Sequence, residues 1–192
     1  MAHLNTTNNT LASNDFYHLR LATLKDAYEI YAVMATCYQT LEQKEYFVCD
    51  DLDYVKDLLS GHGFGVVACD ENNKIVGNLL VKYPGVTEEN LGYDVFAKCN
   101  ITPTSKNLNS VLHMDSASVL PEHRGHRLES KMIAFAETLV DTSKYCYSFA
   151  TVAPNNTASL KSLEQNGYQV MVTKEKYAGL IRCVMMKVLP VR

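Results

Sequence analysis

What the chain lacks narrows its class first. No apolar run in its 192 residues is longer than six, at 30–35, whereas a membrane-crossing helix needs about 20. The N-terminal MAHLNTTNNTLASND has neither a charged start nor an apolar stretch. It does not read as a signal peptide, so a cytoplasmic protein is expected, with no membrane partner. The Asn-x-Thr patterns at Asn5, Asn8, Asn100 and Asn155 are then expected to be incidental. There is no excess of positive charge: 18 Lys and Arg against 21 Asp and Glu give a net charge of −3. That argues against a nucleic-acid footprint spread over the whole protein, though not against a local basic site. No CxxC pair and no Cys/His ligand spacing occurs, and no two of the six cysteines lie closer than twelve positions. Zinc and redox motifs are therefore not expected, and the cysteines read as reduced, small apolar residues. Nor is the composition that of a disordered chain, with 47% apolar and 20% charged residues.

What is present reads as one domain of ordinary size. The Asn- and Thr-rich residues 1–14 are expected to form a loose tail ahead of a domain over 15–192. FYHLR (16–20) reads as a first strand. Thr23 and Asp26 offer helix-start chemistry, and Leu24, Ala27, Ile30, Tyr31 and Met34 recur at helical spacing. Asp50, Asp51 and Asp53 precede a second helical piece, DYVKDLLS, stopped by Gly61; they read as acids loading the positive helix end rather than as a metal cluster. GHGFG opens an apolar strand instead of a helix, so it reads as a turn and not a phosphate loop. ENNK is a hairpin turn and IVGNLLVKY its return strand. Residues 84–110 form an irregular insertion, of a length that in a compact domain is often functional. VLHMDSASVL (111–120) reads as a strand and PEHRG as a turn into a helix reaching about residue 141, with Leu128, Met132, Ile133, Ala136, Leu139 and Val140 on one face. YCYSFATV is a strand, SLKSLEQ a helix ended by Asn166-Gly167, and residues 168–173 and 180–189 are two closing strands.

Chemistry concentrates where VLHMDSASVL runs through PEHRGHRLES into its helix. Such a junction collects free backbone N–H groups and the positive end of the helix dipole, an anion site suited to a diphosphate. Arg124 and Arg127 add charge, and Gly125 permits close approach. An ordinary strand–helix connection with surface arginines fits this piece alone equally well. About thirty residues on, APNNTASLKSLEQNGY follows the next strand; Asn156 there either caps its helix or faces a ligand between two splayed strand ends.

Together the two segments resemble the GNAT N-acetyltransferase superfamily. VLPEHRGHRLESKMI is similar to its Val-x-Pro-x-x-Arg-Gly-x-Gly-x-Gly/Ala motif. NNTASLKSLEQNGY is similar to its following Asn-x-x-Ala/Ser motif, with Gly-Phe/Tyr nine residues later. The resemblance covers about residues 15–189. It implies an α+β fold: a twisted, mostly antiparallel sheet of six to seven strands, flanked by about four helices, with splayed parallel central strands. It implies acetyl-CoA as co-substrate, with no metal. The pyrophosphate would rest on Gly125, His126, Arg127, Leu128, Glu129 and Ser130, with Arg124 supporting the turn. The pantetheine would pair with the strand edge at Ala117, Ser118 and Val119, and Asn156 and Ser159 would touch it from the other side. The implied reaction is direct attack of a neutral amine of a small molecule or peptide on the thioester; a CoA-binding sensor without turnover is the alternative, and a homodimer is allowed.

The chain departs from the family pattern at four positions. Arg127 and Glu129 replace later motif glycines; a helical backbone there is expected not to need positive φ, Arg127 to compensate with charge, and Glu129 to repel phosphate unless it points away. The usual tyrosine slot is Leu163. The usual glutamate slot is Thr151. For the base, His113 and Asp115 stand in VLHMDSASVL, where period two puts them on one face with Ala117 and Val119. Both read equally as hydrogen-bonded structural residues. Backbone N–H near Ser118 or Val119 would meet the developing oxyanion. Tyr177 and Arg182 would border the acceptor pocket, and Glu42, Glu45, Asp50 and Asp51 offer negative charge to a cationic amine.

Overall fold

A computed structural model describes residues 16–190. The tail expected over 1–14 lies outside the described residues, as do Asn5 and Asn8. Seven strands form one sheet: β1 (His18–Leu21), β2 (Gly63–Cys69), β3 (Ile75–Lys82), β4 (Val111–Val119), β5 (Tyr147–Val152), β6 (Gln169–Lys176) and β7 (Leu180–Val188). Their order is β1-β2-β3-β4-β5-β7-β6. Every neighbouring pair is antiparallel except β4 and β5. Six helices accompany them: α1 (Ala27–Thr40), α2 (Leu52–Asp57), α3 (Gly92–Val95), α4 (Ser105–Asn109), α5 (Leu128–Leu139) and α6 (Thr157–Gln165). This is the architecture implied by the resemblance, with two short helices beyond the four expected.

Both faces of the central strands are covered. Gly65 approaches Leu59, just beyond α2, while Gly77 approaches Met132 of α5. Gly65 pairs with Leu80, three residues from Gly77, so the two glycines look out of opposite faces. Residues 75–81 of β3 are accordingly all buried, which is why the sequence there is apolar apart from Asn78 instead of alternating. On α1, Ala27, Ile30, Val33, Met34 and Cys37 are buried. Two residues expected on core faces are exposed: Leu24, in a separate turn ahead of α1, and Leu139, where α5 ends.

The acids before α2 divide their work. Asp51 caps the helix, accepting from the Tyr54 N–H at 2.8 Å, and Asp53 lies in its first turn. Asp50 instead turns toward β4. The ENNK turn closes around Asp70, whose Oδ1 accepts from the N–H groups of Asn72 and Lys74, each at 2.9 Å.

The insertion carries α3 and α4. Leu91, Val95, Phe96 and Leu108 pack on Val111, Phe149, Val184 and Met186 as a second apolar cluster. Buried Asn90 ties it together, donating to the carbonyls of Gly85 and Leu108 and accepting from the Gly92 N–H. Asp94 fixes it to β6, with Lys174 and Lys176 Nζ at 2.6 and 2.7 Å.

β4 and β5 pair at only three positions, Val111–His113 with Tyr147–Phe149. Beyond them the strands part, and that gap positions the site.

Candidate functional site

A cleft of about 1080 Å³ opens in the gap. At one end lies the turn from β4 into α5, and at the other lie α2, the insertion and the tip of the β6–β7 hairpin.

The edge of β4 supplies the floor. Leu120 N–H donates to Val76 O at 2.9 Å. Strand alternation turns Ser118 N–H the same way, toward β3, and leaves the N–H and C=O of Ala117 and Val119 facing the gap. Val119, not Ser118, is therefore the backbone donor of the expected pair. Ser118 Oγ is buried with no hydrogen-bond partner, in the wall of the cleft. Asn78 Oδ1, directly opposite it on β3, is likewise buried without a partner.

At the turn, Gly125 takes φ +84°, with nothing within 4 Å of where a Cβ would stand. Arg124 Nε donates to Val119 O at 3.2 Å and draws the turn onto the strand edge. Helix α5 begins at Leu128, so the first amides of the helix open onto the cleft.

The expectation for Arg127 is corrected. It is the N-cap of α5, at φ 58° and ψ 28°, so the backbone there is left-handed, the region glycine adopts freely. A non-glycine residue held there costs about 1–2 kcal/mol. Glu129 does not point away either. Its Oε1 accepts from Ser159 Oγ at 2.6 Å, bridging α5 to α6, and burial pushes its carboxyl up against the lowering effect of the Ser159 bond. Ser159 is thus engaged by a carboxylate in the groove where a cofactor contact was expected. Asn156 caps α6, accepting from the Ser159 N–H at 3.3 Å, and also lines the cleft. Ser130 and Leu128 line it too. His126 packs on the Tyr17 ring at 5.1 Å, and His123 Nδ1 lies 3.0 Å from the Tyr17 hydroxyl.

The period-two reading of β4 fails at Asp115. Ser116 pairs with Leu80 and Met114 with Val81, so Asp115 is an extra residue, a bulge. His113 pairs with Lys82 and shares the face of Ser116 and Ser118, opposite Ala117 and Val119. It is buried, 6% exposed, and Nε2 accepts from the Leu91 N–H at 3.2 Å. Burial, with Lys82 and Lys176 nearby, pushes its pKa down to about 3. It is a neutral acceptor holding the insertion.

The bulge turns Asp115 toward α2. Tyr54 Oη donates to Asp115 Oδ2 at 2.8 Å. Ser116 Oγ lies 3.2 Å from Asp50 Oδ2 and 3.3 Å from Asp115 Oδ2, bridging the two carboxylates. Burial raises both carboxyls, and each sits where Lys82 draws it back. The Tyr54–Asp115–Ser116–Asp50 group was not assembled by sequence reasoning. Sequence reasoning names Asp115 and Asp50 separately, and no local signal joins them to each other or to Tyr54.

On the other wall, Tyr177 Oη shares a hydrogen bond with Thr151 Oγ1 at 3.0 Å. Burial raises its phenol. Leu163 is buried and offers no proton. Tyr168 is buried against Ser148 Oγ at 2.6 Å, in a packing role. Among the described residues no group of three or more His, Cys, Asp or Glu is placed to hold a metal, and no helix is long and apolar enough to cross a membrane.

A family model described as the acetyltransferase (GNAT) family matches residues 25–168. No curated protein sequence matches the chain. Among solved structures, yncA from Salmonella typhimurium, with its cofactor acetyl-CoA, superposes with a TM-score of 0.66 at 14% identity, over 92% of this chain and 95% of that one. The ribosomal-protein-S5-alanine acetyltransferase of Vibrio fischeri gives 0.64 at 17%, over 93% and 96%. An aminoglycoside acetyltransferase in complex with coenzyme A and kanamycin gives 0.62 at 15%, over 90% and 94%. At such identities the likeness concerns the fold.

Proposed function

The chain belongs to the acetyltransferase (GNAT) family, and from that premise we propose that it transfers the acetyl group of acetyl-CoA to a primary amine of a small molecule or peptide. One observation carries this reading: a single cleft joins an anion cradle at 124–130 to a half-buried carboxylate pair, along a strand edge whose polar groups face the gap.

Acetyl-CoA brings the acetyl thioester, and this chain's residues fit it. The amides of residues 125–130 and the side chains of Arg124 and Arg127 would hold its phosphates. Ala117, Val119 and the unpartnered Ser118 hydroxyl would hold its arm. Val119 N–H faces the oxygen charge that develops as the amine attacks. Asp115, held by the Tyr54–Ser116 network, takes the amine proton directly or through one water. Asp50 holds negative charge beside it, which favours an approaching ammonium and keeps Asp115 basic. Tyr177 Oη, kept protonated by burial, is the donor for the leaving sulfur on the β5 side, the role left empty by Leu163.

The alternative, a CoA-binding sensor without turnover, is favoured by Leu163 in the usual tyrosine slot and by Arg127 and Glu129 in place of the later motif glycines. Two measurements separate the readings. Acetyl-CoA at one hundred times its Kd raises stability by about 2.7 kcal/mol; Arg124→Ala weakens that binding, and Glu129→Ala tightens it severalfold by removing a carboxylate from the cradle. Thiol release over a panel of amines then supports the transferase. Binding without release supports the sensor, and no binding overturns both.

A further inference from the structure

Three cations line the acceptor end of the cleft: Lys82, Lys176 and Arg182. Two are neutralised. Lys82 pairs with Glu89, and Lys176 with Asp94. Arg182 is different. It is the most buried of the three, 3% exposed, and among the described residues it makes no salt bridge. Its Nη1 donates to Ile181 O at 3.1 Å and its Nη2 to Glu45 O. The guanidinium lies 5.8 Å from the centre of the Tyr177 ring, on the side of the hairpin tip that looks into the cleft.

A guanidinium has five N–H donors in a rigid planar fork, and these bonds engage only two of its nitrogens, each through a neutral carbonyl. Burying a charge without a counter-ion is costly, and evolved sites supply the partner from within the protein or from a ligand. Here burial opposes the charge while Tyr177 and Glu45 draw it back, and no carboxylate of the described residues forms a salt bridge with it. The remaining N–H groups border the same cleft as Asp50 and Asp115, whose negative charge suits an amine. Tyr46, Phe47 and Tyr177 line the cleft around them. The place is held firmly: Tyr46 Oη donates to Asn155 O at 3.0 Å and Asn155 Nδ2 to Gln43 Oε1 at 3.3 Å, fixing the segment whose carbonyl Arg182 grips.

We propose that Arg182 is a carboxylate subsite, so that the acceptor is an amino acid or similar small amino carboxylate, its amine directed to Asp115 and Asp50 and its carboxylate to Arg182. The assignment rests on the acetyltransferase reading above and narrows its acceptor. A planar carboxylate accepts two N–H bonds from the fork, while a neutral amide offers one acceptor oxygen and no charge.

The test compares common amino acids with their own α-amides as acceptors, using acetyl-CoA and thiol detection. The acids are expected to exceed their amides by about 10- to 100-fold in kcat/KM, chiefly through KM. Arg182→Gln removes that preference by raising KM for the acids, leaves turnover of the amides within about threefold, and leaves acetyl-CoA affinity unchanged. Arg182→Lys retains part of the preference, since charge survives without the fork. Amides or carboxylate-free polyamines turned over as well as the acids overturn the subsite, as does an Arg182→Gln loss that falls equally on acids and amides. If Arg182→Gln does not fold, the wild-type acid-to-amide ratio and Arg182→Lys decide. If no amine of either series is acetylated, the transferase reading fails on its own. The subsite is then judged by calorimetry with coenzyme A present: acids binding over amides support it, and equal binding overturns it.

Discussion

Asp115 breaks the regularity of its strand, and that break gives it a task. A period-two strand would have sent it to the face of Ala117 and Val119; the bulge sends it instead to Tyr54, 61 positions earlier in the chain. Its carboxyl is raised by burial above the ordinary 3.8, with Asp50 adding to the effect and the Tyr54 bond opposing it. The folded state therefore holds this proton more tightly than the unfolded chain does. The resulting stability is complete below 3.8 and is lost as pH rises through the raised folded value. Ionising Asp115 for the chemistry therefore works against the stability of the fold. Asp115→Asn, which keeps an acceptor for Tyr54, is expected to melt higher than the wild type near neutral pH, with the gap vanishing as pH falls toward the unfolded carboxylate value. The same variant should lose about 10²- to 10⁴-fold in kcat/KM, and the acid limb of the pH–rate profile with it. A variant that melts no higher and works as well removes Asp115 from the base position.

At the scale of elements, the insertion depends on a few polar clamps. Helices α3 and α4 have four and five residues, too short to form alone and too short to announce themselves by periodicity. Their stability comes from the apolar cluster under them and from Asp94. Burial by itself would raise the Asp94 carboxyl; the bonds from Lys174 and Lys176 outweigh it and hold the group below its usual range. Stability from this group is present above 3.8 and disappears as pH falls through the lowered folded value. Asp94→Asn is expected to cost about 1–3 kcal/mol at neutral pH, about 2–4 °C in Tm per kcal/mol for a chain of this size. In acid the difference should close. A thermal melt of both proteins across pH checks this, and a gap that persists in acid would mean the clamp works by packing. Lys176 also borders the acceptor end, so loosening the clamp should raise KM for the acceptor more than for acetyl-CoA.

The whole molecule is two sheet portions, β1–β4 and β5–β7, hydrogen-bonded to each other at three residue pairs. The gap leaves the β4 edge at Ala117 and Val119 unpaired with any strand. Acetyl-CoA lying along that edge would take the place of a strand. Hydrogen exchange with and without acetyl-CoA is expected to slow at 117–119 and 125–130, while the already paired β2–β3 core changes little. Protection spread evenly over the sheet would indicate general stabilisation instead of edge pairing.

Much of this was readable from local order. Asp51, Asn156 and Gly167 mark helix ends through contacts within a few residues, and buried apolar faces repeat at 3.6 or 2. Those rules act over one turn or one strand, so the chain by itself determined the order of its elements, the covered central strands and the strand–turn–helix that cradles an anion. What it could not determine was whatever depends on pairing between distant segments. Arg127 reads as a helical residue until the cap geometry puts it at positive φ. Asp115 reads as alternating until its pairing with β3 inserts a bulge. Asp50, a helix acid by its neighbours, becomes half of a carboxylate pair through Ser116, 66 positions away. Arg182 reads as a residue bordering the acceptor pocket, but its burial, without a salt bridge among the described residues, comes only from the fold, where it grips the Glu45 carbonyl 137 positions earlier. Local sequence sets backbone propensity within a few residues; desolvation and the meeting of charges belong only to the assembled fold, and there the tertiary structure decided the site.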